Sequence, residues 1–304
     1  MLWIKENDRA YSKLLRAAEK TSSALSEKLG DNLVAVYVYG SVARGDCVGS
    51  SDVDLHIVLR DYAQAKDLPH TNWVGDVPVE VSPHRLSFYK TTPDWLRENI
   101  DEAAGWEGLW EMEEIIVLYD PGDLISPFKE RITPVLNDKS LLRARANISF
   151  KAATTEMEEV KRDISEGALD RALVHMYALG GGGDAYSGVA VQVLKTVIKF
   201  AGLPLTTRRI WLRFREACQK LNAPGLQSLL EGCYGMGRLD QKNLQEVFGE
   251  ALSLANEVAA KPPFPEEPIH EVERFKLDFA EFTGGGEIGA AHVLHLGRIF
   301  GRLP

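Results

Sequence analysis

Only three cysteines occur in 304 residues, Cys47, Cys218 and Cys233, and they are widely spaced and odd in number, so neither a disulfide framework nor a zinc site is implied. Long apolar runs are also missing. The longest, such as Leu33 to Tyr39, fall far short of the roughly 20 residues that a membrane-crossing helix needs. The N-terminus, MLWIKENDRAYSKLL, mixes charges of both signs and has no small-residue cleavage site behind an apolar core, so no secretory leader is expected. These absences predict a reducing, cytoplasmic setting and no membrane partner. Basic residues are scarce in the front half. Residues 1–137 hold 23 Asp and Glu against 14 Lys and Arg, whereas residues 138–304 hold 21 of each, so the net charge of −9 belongs to the front half. Phosphate-contacting faces need clustered Lys and Arg, which disfavours a nucleic-acid partner; an acidic half suits a site that gathers divalent cations.

What is present reads as a globular chain. Hydrophobic residues make up 45% and charged residues 26%, a balance that packs rather than stays disordered, and the length allows two domains. Residues 5–28 have the period of an amphipathic helix ended by Gly30. LVAVYVY (33–39) is a continuous apolar run and reads as a buried strand. A short helix is expected at 41–44. DVDLHIVL (52–59) and VPVEVSP (77–83) read as the second and third strands, with Pro83 closing the latter. EEIIVLYDPGD (113–123) reads as a fourth, stopped by Asp120-Pro121-Gly122. Helices are expected at 94–104 and 124–131. This is an α/β pattern on a small mixed sheet.

After Pro134 the strand signals stop. Leu142, Ala146, Phe150, Ala153, Met157, Val160 and Ile164 fall on one helical stripe over 141–164. Further helices are expected at 168–179, 186–201, 207–221 and 240–260, with a glycine run at 180–183 and a proline-rich connector, KPPFPEEP, at 261–268. The expected domains are 1–137, the sheet-bearing unit, and 138–304, an all-α helical bundle.

The chemistry concentrates in GSVARGDCVGSSDVDLHIV, residues 40–58. Strand side chains alternate, so Asp52 and Asp54 point to one face while Val53 and Leu55 turn to the core. Two carboxylates so placed repel each other unless a hard cation lies between them. Oxygen ligands of this type suit Mg²⁺, which binds through one or two carboxylates plus substrate phosphates. Glu80, flanked by Val79 and Val81, supplies a third carboxylate if its strand lies beside the Asp52–Asp54 strand; three can hold two ions. Gly40 lets a phosphate approach the backbone, Ser41 adds a hydroxyl and Arg44 a cation. Alone, each of these features is usually a turn or a solvated strand end; their order and spacing make the joint signal.

The segment 33–82, with GSVARGDCVGSSDVDL at its centre, resembles the signature of the polymerase β-type nucleotidyltransferase superfamily. It looks most like the minimal enzymes and the kanamycin- and lincosamide-type nucleotidyltransferases. A weaker resemblance covers 168–215, where LPLTTRRIW is similar to their attached helical domains. The resemblance implies an Mg²⁺–NTP complex, with ATP among the candidate nucleotides, and transfer of a nucleoside monophosphate to a hydroxyl with release of pyrophosphate. Carried over, Gly40 and Ser41 bind the triphosphate, Asp52 and Asp54 bind metal, and Glu80 binds metal or helps to deprotonate the acceptor.

Residues 185–215 hold no acidic side chain but six basic ones, Lys195, Lys199, Arg208, Arg209, Arg213 and Arg215. Lys195 and Lys199 are four apart on one helix face. With Arg209 they are expected to contact the triphosphate, against the alternative of a solvated helix surface. Glu156, Glu158, Glu159 and His175 are further candidates for a base but sit in no recognisable motif, and His292 and His295 read as structural. The acceptor is a small antibiotic-like molecule or a protein side chain, and the active unit is a monomer or a homodimer. The alternative is a non-catalytic, antitoxin-like regulatory protein that keeps the fold and the nucleotide site.

Overall fold

The computed structural model describes residues 4–47, 49, 51–177, 187–206, 209–234 and 236. The chain divides into two compact units, Met1–Leu141 and Leu142–Pro304. The division falls four residues beyond the expected boundary, inside the first turn of a long helix. The expected helix at 240–260, the glycine run, the proline-rich connector, His292 and His295 lie outside the described residues.

The first unit begins with α1 (Ile4–Leu29), then β1 (Leu33–Tyr39), α2 (Gly40–Arg44), β2 (Val53–Leu59), β3 (Thr71–Val74) and β4 (Val77–Arg85). It continues with α3 (Leu86–Glu98), α4 (Ile100–Ala103), α5 (Gly108–Glu111), β5 (Ile116–Tyr119) and α6 (Ile125–Leu136). The sheet is mixed, with order β3-β4-β2-β1-β5; β2 and β4 run parallel and the other neighbours antiparallel. β1 is buried along almost its whole length, as its unbroken LVAVYVY run requires of a strand covered on both faces. On one face Val36, Val38, Val53, Leu55, Ile57, Val79 and Val81 pack with Leu14, Ala17, Ala18 and Leu25 of α1. The other face carries Tyr37, Tyr39, Asp54, His56 and Glu80.

Three element boundaries differ from the sequence reading. β4 runs through Pro83 to Arg85. β3 pairs with β4 only as far as Glu80, so Pro83 lies where the outer side of β4 has no strand neighbour among the described residues, and its missing N–H costs no ladder bond. β3 was missed because TNWV is short and polar; a two-residue turn, Gly75-Asp76, joins it to β4, with Gly75 at φ +67°. α3 starts at Leu86 rather than 94 and contains Pro93, and α6 extends past Pro134 to Leu136. In α3 the apolar face of Tyr89, Pro93 and Leu96 is buried, and Tyr89 packs on Phe128 of α6, its ring centroid 4.8 Å away. That burial outweighs the hydrogen bond each proline removes.

The second unit is helical: α7 (Lys139–Ser165), α8 (Leu169–Tyr177), α9 (Val189–Phe200), α10 (Ile210–Lys220) and α11 (Pro224–Cys233), the last not anticipated. The stripe expected on α7 is rotated. Phe150 and Ile164 are exposed, while Arg145, Ser149 and Asp163 are buried beside Ala146, Ala153 and Val160. Arg145 explains the rotation: its guanidinium donates to the carbonyl of Leu203 at 2.8 Å and of Lys199 at 3.5 Å, closing the C-terminal end of α9. The small mixed sheet followed by a helical region is the architecture expected.

Candidate active site

The site is built where β1 stops. Tyr39 is still extended, and Gly40 then turns the chain with φ +70° into α2, whose helix ends at Gly45 with φ +71°. A Cβ at Gly40 would lie 3.2 Å from Cγ of Asp54 and inside contact with its Oδ2, so glycine is what lets the two strands bring that carboxylate against the corner. The ladder fixes the rest. Asp54 pairs with Tyr39 of β1 on one side and with Glu80 of the parallel β4 on the other. Neighbours opposite one another in a ladder share a face. Glu80 therefore stands beside Asp54, while Val53, Leu55, Val79 and Val81 point into the buried core. Asp52 immediately precedes β2, and both aspartates are partly buried.

Ser41 and Arg44 follow Gly40 on α2. The Arg44 Nε donates to Asp46 Oδ2 at 3.3 Å, and the side chain is largely covered, so the cation is held close to the corner. Among the described residues, no three His, Cys, Asp or Glu side chains are drawn together into a ligating cluster. The donor set nonetheless suits a hard divalent cation. It is all oxygen, and Asp54 and Glu80 are adjacent in register.

Sequence reasoning missed a fourth acidic group. Glu111, at the end of α5, is half-buried within electrostatic range of Arg44 and Asp54. Burial pushes its carboxyl up from 4.5 to about 7; Arg44 opposes the rise, and the charges of Asp54, Glu107 and Glu114 add to it. Its only signal was an acidic run, Glu111 to Glu114, which reads as the polar lead into a strand.

The floor beside the carboxylates is aromatic and neutral. The His56 ring lies 3.8 Å from that of Tyr39 and 4.2 Å from that of His84, centroid to centroid. Tyr37 Oη is hydrogen-bonded to His56 Nδ1 at 2.8 Å and to Tyr89 Oη at 2.7 Å. Burial, and then the neighbouring His84, lowers the His56 pKa to about 3, and burial lowers that of His84. Both imidazoles are thus uncharged near neutrality and offer no counter-charge to a phosphate. The Tyr39 hydroxyl, hydrogen-bonded with Ser82, is pushed up by burial and by the charge of Asp54. Positive charge at this corner comes from Arg44.

Lys195, Lys199 and Arg209 belong to the second unit. Lys199 is completely buried and Lys195 nearly so, with its Nζ donating to Ser187 Oγ at 3.0 Å. Arg209, just before α10, is partly exposed. Glu156 and His175 meet across α7 and α8, with His175 Nδ1 2.7 Å from Glu156 Oε2 and Nε2 3.7 Å from the buried Asp163 Oδ2.

Residues 19–100 match the family model described as Polymerase beta, Nucleotidyltransferase, a span that contains β1, α2, β2, β3 and β4. That segment, which lies wholly within the first unit, is thus similar to a polymerase β-type nucleotidyltransferase domain. No curated protein matches the chain. Among the described residues, no helix is long and apolar enough to cross a membrane.

Proposed function

We propose that the protein is a magnesium-dependent nucleotidyltransferase that moves a nucleoside monophosphate from an NTP to a hydroxyl of a small antibiotic-like molecule or a protein side chain, releasing pyrophosphate. The observation that carries this reading is the pairing of Asp54 with Glu80 beside Gly40, within a domain that matches the family. Asp52, Asp54 and Glu80 would hold the metal. Bound there, divalent ions supply the positive charge that offsets the phosphate oxygens and the departing pyrophosphate.

The chain's own residues do the remaining work. Gly40 makes room for the Asp54 carboxylate at the corner, the Ser41 hydroxyl donates to a phosphate oxygen, and Arg44, held by Asp46, faces the accumulating negative charge. The acceptor oxygen bonds to the α-phosphorus as the bond to the bridging oxygen of pyrophosphate breaks. The acceptor proton passes to a carboxylate, for which Glu80 is the candidate wherever its oxygens are not taken by metal. The uncharged floor of Tyr39, His56 and His84 repels no substrate and favours none by charge, so it suits the acceptor better than the triphosphate. Of the three basic residues assigned to the nucleotide, Arg209 is the most accessible and Lys199 the least. The reading places the enzyme in the cytoplasm, with kanamycin- or lincosamide-type chemistry as its model, without a nucleic-acid acceptor, and as a monomer or homodimer.

The test is a screen of α-labelled NTPs against pooled acceptors with the intact chain and with Asp54→Asn. Labelled product that disappears in the variant supports the proposal. ATP binding without pyrophosphate release across the whole panel favours the regulatory alternative instead.

A further inference from the structure

β5 closes one side of the sheet: among the described residues it is bonded to β1 and to no other strand. An edge of this kind presents backbone N–H and C=O groups toward whatever lies alongside. Two open grooves follow this edge, and both include Val117, which is 45% exposed. One, of about 610 Å³, is bounded by Val117, Ile125 and Pro134, with Lys129 and Glu130 offsetting each other in charge. The other, of about 570 Å³, lies against α1 and is lined by serines together with Glu19 and Glu27, with no basic residue.

An extended chain points successive side chains to opposite faces. A segment laid along β5 would therefore send alternate residues into the two grooves, apolar ones toward α6 and others toward the glutamates of α1. The ends of β5 add to the same preference. Glu113 and Glu114 precede it and Asp120 and Asp123 follow it, so both flanks are acidic. That charge also decides against a second copy of the strand. Antiparallel self-pairing sets Glu113 and Glu114 against Asp120 and Asp123 of the other copy, and parallel pairing sets like against like.

We propose that the β5 edge docks an extended segment of a partner protein by strand addition, with apolar residues alternating with Lys or Arg. This surface is separate from the carboxylate corner and does not depend on the proposed activity.

The experiment follows backbone hydrogen exchange in the full chain, with three synthetic peptides of equal length. One alternates Val and Lys, one alternates Val and Glu, and one has the composition of the first in two blocks. The alternating Val–Lys peptide is expected to slow exchange at residues 116–119, and the other two to leave it unchanged. Glu19→Lys combined with Glu27→Lys, both exposed on α1, should weaken Val–Lys binding about tenfold, the scale of two reversed rim charges, and let the Val–Glu peptide bind. Val117→Asp should abolish both responses, with a melting curve to show that the fold persists. Equal effects of all three peptides, or no effect of any, overturn the proposal. So does protection, in the protein alone, of the β5 amides that are not bonded to β1: independent of concentration, it means the chain covers its own edge, and dependent on concentration, it means a second copy does.

Discussion

Gly40 and Asp54 share one volume: the space that a Cβ on Gly40 would fill is taken by the Asp54 carboxylate, whose Cγ would then be 3.2 Å away. The last residue of β1 pairs with Asp54 across the ladder, so the turn that follows β1 cannot avoid that carboxylate. Gly40 also has φ +70°, a region that costs an L-residue roughly 1–2 kcal/mol. Gly40→Ala is therefore expected to lower stability by about that amount and to reduce nucleotidyl transfer by about a hundredfold or more, because Asp54 must move. Steady-state rates beside a thermal melt check it; an active Gly40→Ala enzyme would show that the carboxylate has room to spare.

Asp54 and Glu80 stand side by side on parallel strands, so in the absence of a cation their charges oppose each other. Asp54→Asn removes that repulsion and, in the proposed reading, a metal ligand. Activity should fall by about two to three orders of magnitude while the melting temperature stays level or rises. Glu80→Gln should behave in the same way for stability. Mg²⁺-dependent NTP binding measured by calorimetry, with melts in EDTA, separates the two effects.

Two half-buried titrating groups predict pH dependences of opposite sign. For Glu111 the folded value of about 7 lies above the ordinary 4.5, so the folded state keeps a proton that the unfolded chain has lost. Its contribution is fully present below 4.5 and fades as pH rises to about 7. Glu111→Gln should therefore gain on the parent over that window, at up to about 1.4 kcal/mol per pH unit. For His56 the folded value of about 3 lies below the ordinary 6.5, so its contribution is present above 6.5 and is lost as pH falls toward 3. His56→Gln should flatten that acid arm. Denaturant titrations of the metal-free protein from pH 4 to 8 test both, and parallel curves for parent and variants would reject them.

In the second unit, burial and sequence pattern disagree at Arg145 and Phe150. Arg145 is fully buried and donates to the backbone at the end of α9, whereas Phe150 is 58% exposed. Arg145→Met should cost about 2–4 kcal/mol by taking the guanidinium donor from the Leu203 carbonyl. Phe150→Ser should stay within about 0.5 kcal/mol of the parent. Equal losses from both in denaturant melts would restore the stripe read from the sequence.

How much was legible in advance depends on the range of the cause. The unbroken apolar run 33–39 and the alternating ones at 52–59 and 77–83 identify strands because the side-chain period is local, whereas the four residues of β3 are too few to show a period. Pro83 reads as closing its strand, and the helices read at 94–104 and 124–131 stop short of Pro93 and Pro134. Proline's local penalty is real, but an open strand edge and two packed helix faces absorb it.

By itself the sequence determined that Asp54 and Glu80 sit on strands with apolar neighbours on either side, and that a glycine corner follows β1. Local alternation and backbone freedom suffice for that. Only the tertiary structure decided that β4 lies parallel to β2 with Glu80 opposite Asp54, that Glu111 comes to the same corner, and that Arg145 rather than Phe150 faces inward. Those outcomes depend on which distant segments pair and which polar groups find partners inside, and neither is carried by the period of any one segment.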